Sequence, residues 1–324
     1  MKHTKFWLVL SLILFASGIG LAAAGTAMGG TWRMRFDLSD FKMVTGSDDY
    51  VENTVKINDS FSKLEIDNSV IDITIKRGTE CRVDYRVPED LEPVVEVKGN
   101  TLRVYSKDKG GISFFNFTMI GDEDSYITIT IPEDIAEKGL NFDVETSTGD
   151  IRVEDVNFQG RIESSTGDTT LVNLTAGNLE IEESTGDAVI ENCEIKGDLK
   201  TSASTGTVTI KNTSIDGKYS AETSTGDIEV YDSGMGFFKM EGSTSDLTFK
   251  NVAVADVNID TSTGDVKLSI DGNEDDYSIK LHTSTGDMNV AGREMDGKNF
   301  ELVKGNNKIV IETSTGDIDI DFKK

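Results

Sequence analysis

Proline, histidine and cysteine are scarce in this sequence, and each scarcity removes a class of explanation. Three prolines in 324 residues are too few for a disordered acidic tail, which is ordinarily proline-rich. The two histidines, His3 and His282, weaken any mechanism that needs an imidazole base or a zinc cluster. The two cysteines, Cys81 and Cys193, sit in unrelated contexts, with no CxxC pair and no metal-ligand spacing. Bases are scarce beside acids, with 32 Lys and Arg against 58 Asp and Glu and a net charge of −26. All 58 acids follow residue 32, while Lys2 and Lys5 precede it. Such a chain repels nucleic acid and anionic lipid, so neither is expected as a ligand of the acidic region. A cationic partner or bound cations fit it better, although acids also serve simply to keep a long β-protein soluble.

One long hydrophobic run exists. Phe6 to Met28 is free of charge, follows Lys2 and Lys5, and is followed by Arg33 and Arg35. Its 23 residues are long enough to span a bilayer as a helix, and the preceding positive charge favours an N-terminus inside. A cleaved signal peptide is the rival reading, because Ala22-Ala23-Ala24 offers an A-x-A site. No cysteine stands at a lipobox position. Residues 1–32 are therefore read as a signal-anchor or transmembrane segment, with the acidic region on the far side of the cell membrane or secreted after cleavage.

What the chain has in abundance is periodic glycine. STGD occurs at 147–150, 165–168, 184–187, 224–227, 262–265, 284–287 and 314–317, with variants at 204–207 and 243–246. From Gly149 the spacings are 18, 19, 20, 20, 19, 19, 22 and 30. Apolar residues alternate on both sides, as at Leu179 and Ile181 before the motif and Ala188 and Ile190 after it. That alternation marks strands with one buried face. A unit of about 20 residues cannot bury its apolar face alone, so copies must stack in register. The reading is an all-β, right-handed parallel β-solenoid with nine regular coils over 142–324. Coils at about 4.8 Å per step form a rod about 38 Å long. Irregular coils are expected over 61–141, and a linker and N-terminal cap over 33–60. Leu64–Ile75 repeats the pattern without glycine, and Val94–Val104 and Tyr126–Ile131 read as further strands.

Register makes further columns legible. Six residues after the motif glycine stand Asp155, Asn173, Asn192, Asn212, Asp232 and Asn251, residue types that tolerate a left-handed backbone. One residue later, Cys193 falls in a mostly apolar column and is read as core. The turn glycines Gly149, Gly167, Gly186, Gly206, Gly226, Gly264, Gly286 and Gly316 are assigned a structural role, supplying conformations closed to other residues. Asp150, Asp168, Asp187, Asp227, Asp246, Asp265, Asp287 and Asp317 should form one ladder, broken at Thr207. Charges about 4.8 Å apart repel by roughly 0.9 kcal/mol in water, which backbone donors or calcium would relieve. No GGxGxD nonapeptide supports dedicated calcium sites.

The strand repeats bearing S-T-G-D over residues 61–324, behind a hydrophobic segment, resemble a bacterial family of unknown function labelled "putative adhesin". The resemblance implies a β-solenoid at the cell envelope and supplies no catalytic residues or cofactors. The acids repeat everywhere instead of converging, which argues against a polysaccharide-cleaving enzyme. A Thr-x-Thr ice-binding array is broken at Ser164, Glu183, Ala203 and Gly242. The segment Gly110–Asp124, with Phe114, Phe115, Phe117 and Met119, departs from the repeat and is the candidate recognition loop. The expected function is a non-enzymatic surface protein binding a surface ligand or cationic peptide through its acidic face. The alternative is a membrane-tethered structural or stress-sensing protein acting through a partner.

Overall fold

A computed structural model describes residues 34–37, 42–45, 50–68, 70–106 and 125–323. The hydrophobic N-terminal segment and the aromatic loop with Phe114, Phe115, Phe117 and Met119 lie outside the described residues. The chain divides into two compact units. One comprises residues 1–52, 86–92 and 107–125. In it Met34–Asp37 pairs antiparallel with Lys42–Thr45, and the Arg86 guanidinium lies 4.4 Å from the Tyr50 ring centroid.

The other unit, residues 53–85, 93–106 and 126–324, is an all-β solenoid with two parallel sheets. Each coil contributes one strand to the first sheet, turns at STGD, and contributes one strand to the second. The strands of adjacent coils pair in parallel with like positions aligned, as Leu179–Leu199–Tyr219 and Ala188–Val208–Ile228 show, and bulges interrupt the register away from the motifs. Side chains alternate inward and outward, so all the apolar pairs flanking the motifs are buried. Where room allows, aromatics interlock: Tyr219, Phe238 and Phe249 meet at 5.1 and 4.9 Å. The three prolines lie at 88, 93 and 132, so none interrupts the regular ladders, where each N–H is needed.

The Asn/Asp corner behaves as its residue types demand. Asp155, Asn173, Asn192, Asn212, Asp232 and Asn251 all have φ between 47° and 59°. Their N–H groups still donate along the stack, for example Asn173 to Glu191 O and Asn192 to Lys211 O. Side-chain bonding within the column occurs at one described step, Asn251 Nδ2 to Asp232 Oδ1 at 2.7 Å. Val156, Leu174, Cys193, Thr213, Ser233 and Val252, one residue on, are all buried. Burial raises the Cys193 thiol pKa and pushes that of Cys81 up to about 11. Neither is poised as a nucleophile.

Coil order departs from sequence order at both ends, which corrects the expectation that each coil stacks on its successor. The last coil, Asn307–Thr315 and Ile318–Lys323, is inserted between the coil ending at Val266–Asp271 and the coil Tyr277–Thr285/Met288–Val290. The long spacings of 22 and 30 are the connections that skip a place and return to fill it. At the other end, Lys63–Asn68 and Asp72–Gly78 lie between the later strands Thr101–Ser106/Tyr126–Pro132 and the coil that begins at Leu140. Val94–Val104 is a hairpin instead of one strand: Pro93–Lys98 pairs antiparallel with Thr101–Ser106 about Gly99 at φ 64°. At the far end Asn299–Leu302 and Arg293–Glu294 pair antiparallel with the outermost coil. These antiparallel additions cover edges that would otherwise recruit other strands.

Candidate functional site

The STGD corner is built on backbone contact. Gly149, Gly167, Gly186, Gly206, Gly264, Gly286 and Gly316 have φ between 130° and 150°, a region essentially reserved for glycine. A Cβ on Gly186 would lie 1.9 Å from the carbonyl oxygen of Gly167, and one on Gly206 at 1.9 Å from that of Gly186. Gly226 differs: its backbone needs no such φ, and a side chain is excluded there by the Gly206 oxygen, 2.0 Å from the Cβ position.

The Asp ladder follows from the same geometry. Each corner Asp accepts the backbone N–H of the corner residue on the next coil: Asp150 from Asp168, Asp168 from Asp187, and Asp187 from Thr207, at 2.7–2.9 Å. The ladder resumes from Asp227 through Asp246 and Asp265 to Asp317 and Asp287. It therefore follows the spatial coil order, not the chain order. Asp72, in the coil without glycine, begins it by accepting from Asp150 N–H at 2.9 Å. Backbone donors thus relieve the carboxylate repulsion. The Asp265 carboxyl is held below its usual range, first by the Asp317 N–H. Among the described residues no group of three or more His, Cys, Asp or Glu is placed to hold a metal ion. Replacing Asp246 by Asn keeps an Oδ1 acceptor for Asp265 N–H and should leave stability unchanged within about 0.5 kcal/mol. Asp246→Ala removes the acceptor and should cost about 1 kcal/mol in urea unfolding. Equal losses from both variants would show that charge, not hydrogen bonding, sets the role of the carboxylate.

A second acidic column runs outside the first sheet, four residues before each motif glycine. Register places Asp67, Glu145, Glu163 and Glu182 in line, then Ser202, Glu222, Glu241, Asp260, Glu312 and His282. Bases two residues earlier offset part of it: Arg161 pairs with Glu163 at 2.7 Å and Glu182 at 2.8 Å, Lys239 with Glu241, and Lys280 with Glu312 at 3.7 Å. Among the described residues, none forms such a pair with Glu145, Glu222 or Asp260. Between the two acidic columns lie the exposed motif serines. Over the coils from Glu163 to Ser243 this strip sinks into a shallow groove of about 440 Å³, bordered by Ser184, Ala203, Ser204, Ser224 and Gly242. The constant offset from each glycine is the sequence signal for this column; what hid it was that the motif itself drew attention to the Asp.

The residue after this outer column turns inward. Thr146, Thr223, Thr261, Thr283 and Thr313 are buried, so the Thr-x-Thr spacing forms no surface array. Glu183 shares this inward column and is 4% exposed. Burial pushes its carboxyl pKa up to about 7, and the charges of Asp168 and Asp150 push the same way.

A family model described as Toastrack DUF4097 matches residues 61–321. No curated protein matches the sequence. Among solved structures, the chain is similar to a "putative adhesin" from Bacteroides fragilis NCTC 9343. That match has 18% identity and a TM-score of 0.47, covering 68% of this chain and 98% of that one. A "putative lipid binding protein" from Parabacteroides distasonis ATCC 8503 matches at 16% identity and TM-score 0.45, covering 86% and 98%. A "putative adhesin" from the same organism matches at 14% identity and TM-score 0.44, covering 85% and 98%.

Proposed function

Because the chain belongs to the Toastrack DUF4097 family and repeats one acidic corner along its coils, we propose that it is a non-enzymatic binding scaffold or adhesin of the cell envelope. Its acidic strip takes up a cationic surface partner or peptide. The observation that carries this reading is the outer column, in which Glu145, Glu222 and Asp260 present carboxylates that pair with no base among the described residues, beside a groove of small and hydroxylated side chains. Uniform repetition suits an extended ligand; a catalytic centre needs unlike groups converging on one atom. The winding is inferred to be right-handed, since crossovers between parallel strands are so in about 98% of cases; a crystal structure with the opposite hand would refute that. The scaffold is anchored by Phe6–Met28, with the acidic region outside the cell. Resistance to alkaline carbonate extraction supports the anchor, and a secreted form beginning at Gly25 overturns it.

Binding is tested with the full-length protein and a lysine-rich peptide. Affinity should fall steeply between 50 and 500 mM salt, chosen to span Debye lengths of about 14 to 4 Å. The triple variant Glu145→Gln, Glu222→Gln, Asp260→Asn should weaken it at least about tenfold, equivalent to roughly 1.4 kcal/mol. Salt-independent binding, or full affinity in the triple variant, would remove the acidic strip from the binding site.

A further inference from the structure

Five departures from the repeat, Ser164, Thr169, Glu183, Ala188 and Ala203, come together at one interior corner. In the inward column of the first sheet, Ser164 pairs with Glu183 and Glu183 with Ala203. In the second sheet, Thr169 pairs with Ala188. At four other coils the inward residue is a threonine that donates a hydrogen bond to the turn, whereas the column also holds Gly242 and a Thr313 hydroxyl that has no partner. Thr146 Oγ1 donates to Thr148 O at 3.3 Å, Thr223 Oγ1 to Gly226 O at 3.1 Å, and Thr283 Oγ1 to Gly316 O at 3.1 Å. The column thus faces electron-rich oxygens, and Glu183 places a carboxylate where the repeat places a donor.

Neither carboxylate oxygen of Glu183 has a hydrogen-bond partner, and neither do the buried hydroxyls of Ser164 and Thr169. Those two hydroxyls adjoin the carboxyl and favour its ionised form, though neither closes a hydrogen bond of proper geometry. Thr169 is itself anomalous: its column is otherwise apolar from Ile73 through Ile151 and Val208 to Ile318. Ala188 is the smallest member of its column, and Ala203, next to Glu183, is the smallest of its own after Gly242, so both leave room for the longer glutamate. Glu183 also borders the groove, between Ser184 and Ala203. Four oxygens without partners therefore converge in a buried place beside a groove rimmed by carboxylates, and Asp150 and Asp168 add negative potential.

We propose that Glu183, Ser164 and Thr169 form an internal site for one hard, oxygen-preferring cation, reached from the groove beside Ala203. Such an ion accepts carboxylate, hydroxyl and carbonyl oxygens together. It would satisfy atoms that otherwise lack partners. The site is separate from the corner Asp ladder, whose carboxylates already accept backbone N–H groups.

The test is thermal unfolding and titration calorimetry of the full-length protein at pH 8, in chelator and in millimolar Ca²⁺ or Mg²⁺. Ca²⁺ is expected to raise the wild-type Tm by several degrees in a saturable way, with one ion bound per chain. Glu183→Thr introduces the residue that the inward column carries at Thr146, Thr223, Thr261, Thr283 and Thr313, and should abolish both signals while still folding. Glu183→Gln keeps the side-chain length without the charge and should bind at least about tenfold more weakly. Absence of both heat and Tm shift for Ca²⁺ and Mg²⁺ in the wild type overturns the proposal. So does an equal shift in Glu183→Thr, which would place the ion elsewhere, as would undiminished binding by Glu183→Gln.

Discussion

Gly186→Ala should lower the stability of the solenoid by about 3–5 kcal/mol, among the largest effects of a single methyl anywhere in the chain. Two costs combine. The φ of 143° at this position is strained for any residue with a Cβ, at about 1–3 kcal/mol. The methyl would also sit 1.9 Å from the Gly167 carbonyl oxygen, and overpacking adds about 1–3 kcal/mol. Relief by moving the coils apart is blocked, because the ladder hydrogen bonds on both sides fix the spacing of about 4.8 Å. Gly236→Ala is the matched control. Nothing lies within 4 Å of its Cβ position, so the change should stay within about 0.5 kcal/mol. Urea unfolding followed by far-ultraviolet circular dichroism reads both. A loss below about 1 kcal/mol in Gly186→Ala would mean that the coils are not in backbone contact at this corner. Gly226→Val should resemble Gly186→Ala through sterics alone, since only close approach excludes a side chain there.

The same contrast shows what repeated sequence encodes. Period-two alternation, the left-handed Asn/Asp corner and the burial of Cys193 were legible because each depends on position within a coil, and every coil votes on it. Coil order was not legible, because Thr261, Thr313 and Thr283 offer equivalent edges to one another. Nothing local distinguishes the coil at 307–323 stacked last from the same coil inserted one place inward. Only the spacings of 22 and 30 hinted at it. Asp72 escaped notice for the opposite reason: its coil lacks the glycine that identifies the others, yet its carboxylate begins the ladder. Glu183 was visible as a break in a threonine pattern. Its meaning depends on Thr169 and Ala188, which approach it only once the two sheets are closed around the corner.

Glu183→Thr is accordingly expected to remove a fall in stability that the wild type shows as pH rises through neutrality. With chelator present, the buried Glu183 carboxyl ionises at about 7 in the folded protein, against 4.5 for the free side chain. The folded state holds its proton more tightly than the unfolded state, so the wild type is favoured below pH 4.5, and that advantage is lost as pH rises through about 7. The shift is on the order of 3 kcal/mol by pH 8, or roughly 5–10 °C in Tm for a unit of this size. Threonine cannot ionise and supplies the hydroxyl donor that Thr223 directs to Gly226 O at 3.1 Å. Its smaller volume leaves space beside Ala188 and Ala203, at a cost of about 1 kcal/mol. The two melting curves should therefore cross: wild type equal or slightly higher at pH 5, Glu183→Thr higher at pH 8. Parallel Tm profiles for the two proteins between pH 5 and 8 would show that Glu183 does not hold a proton inside the solenoid and that its carboxylate reaches water through the groove.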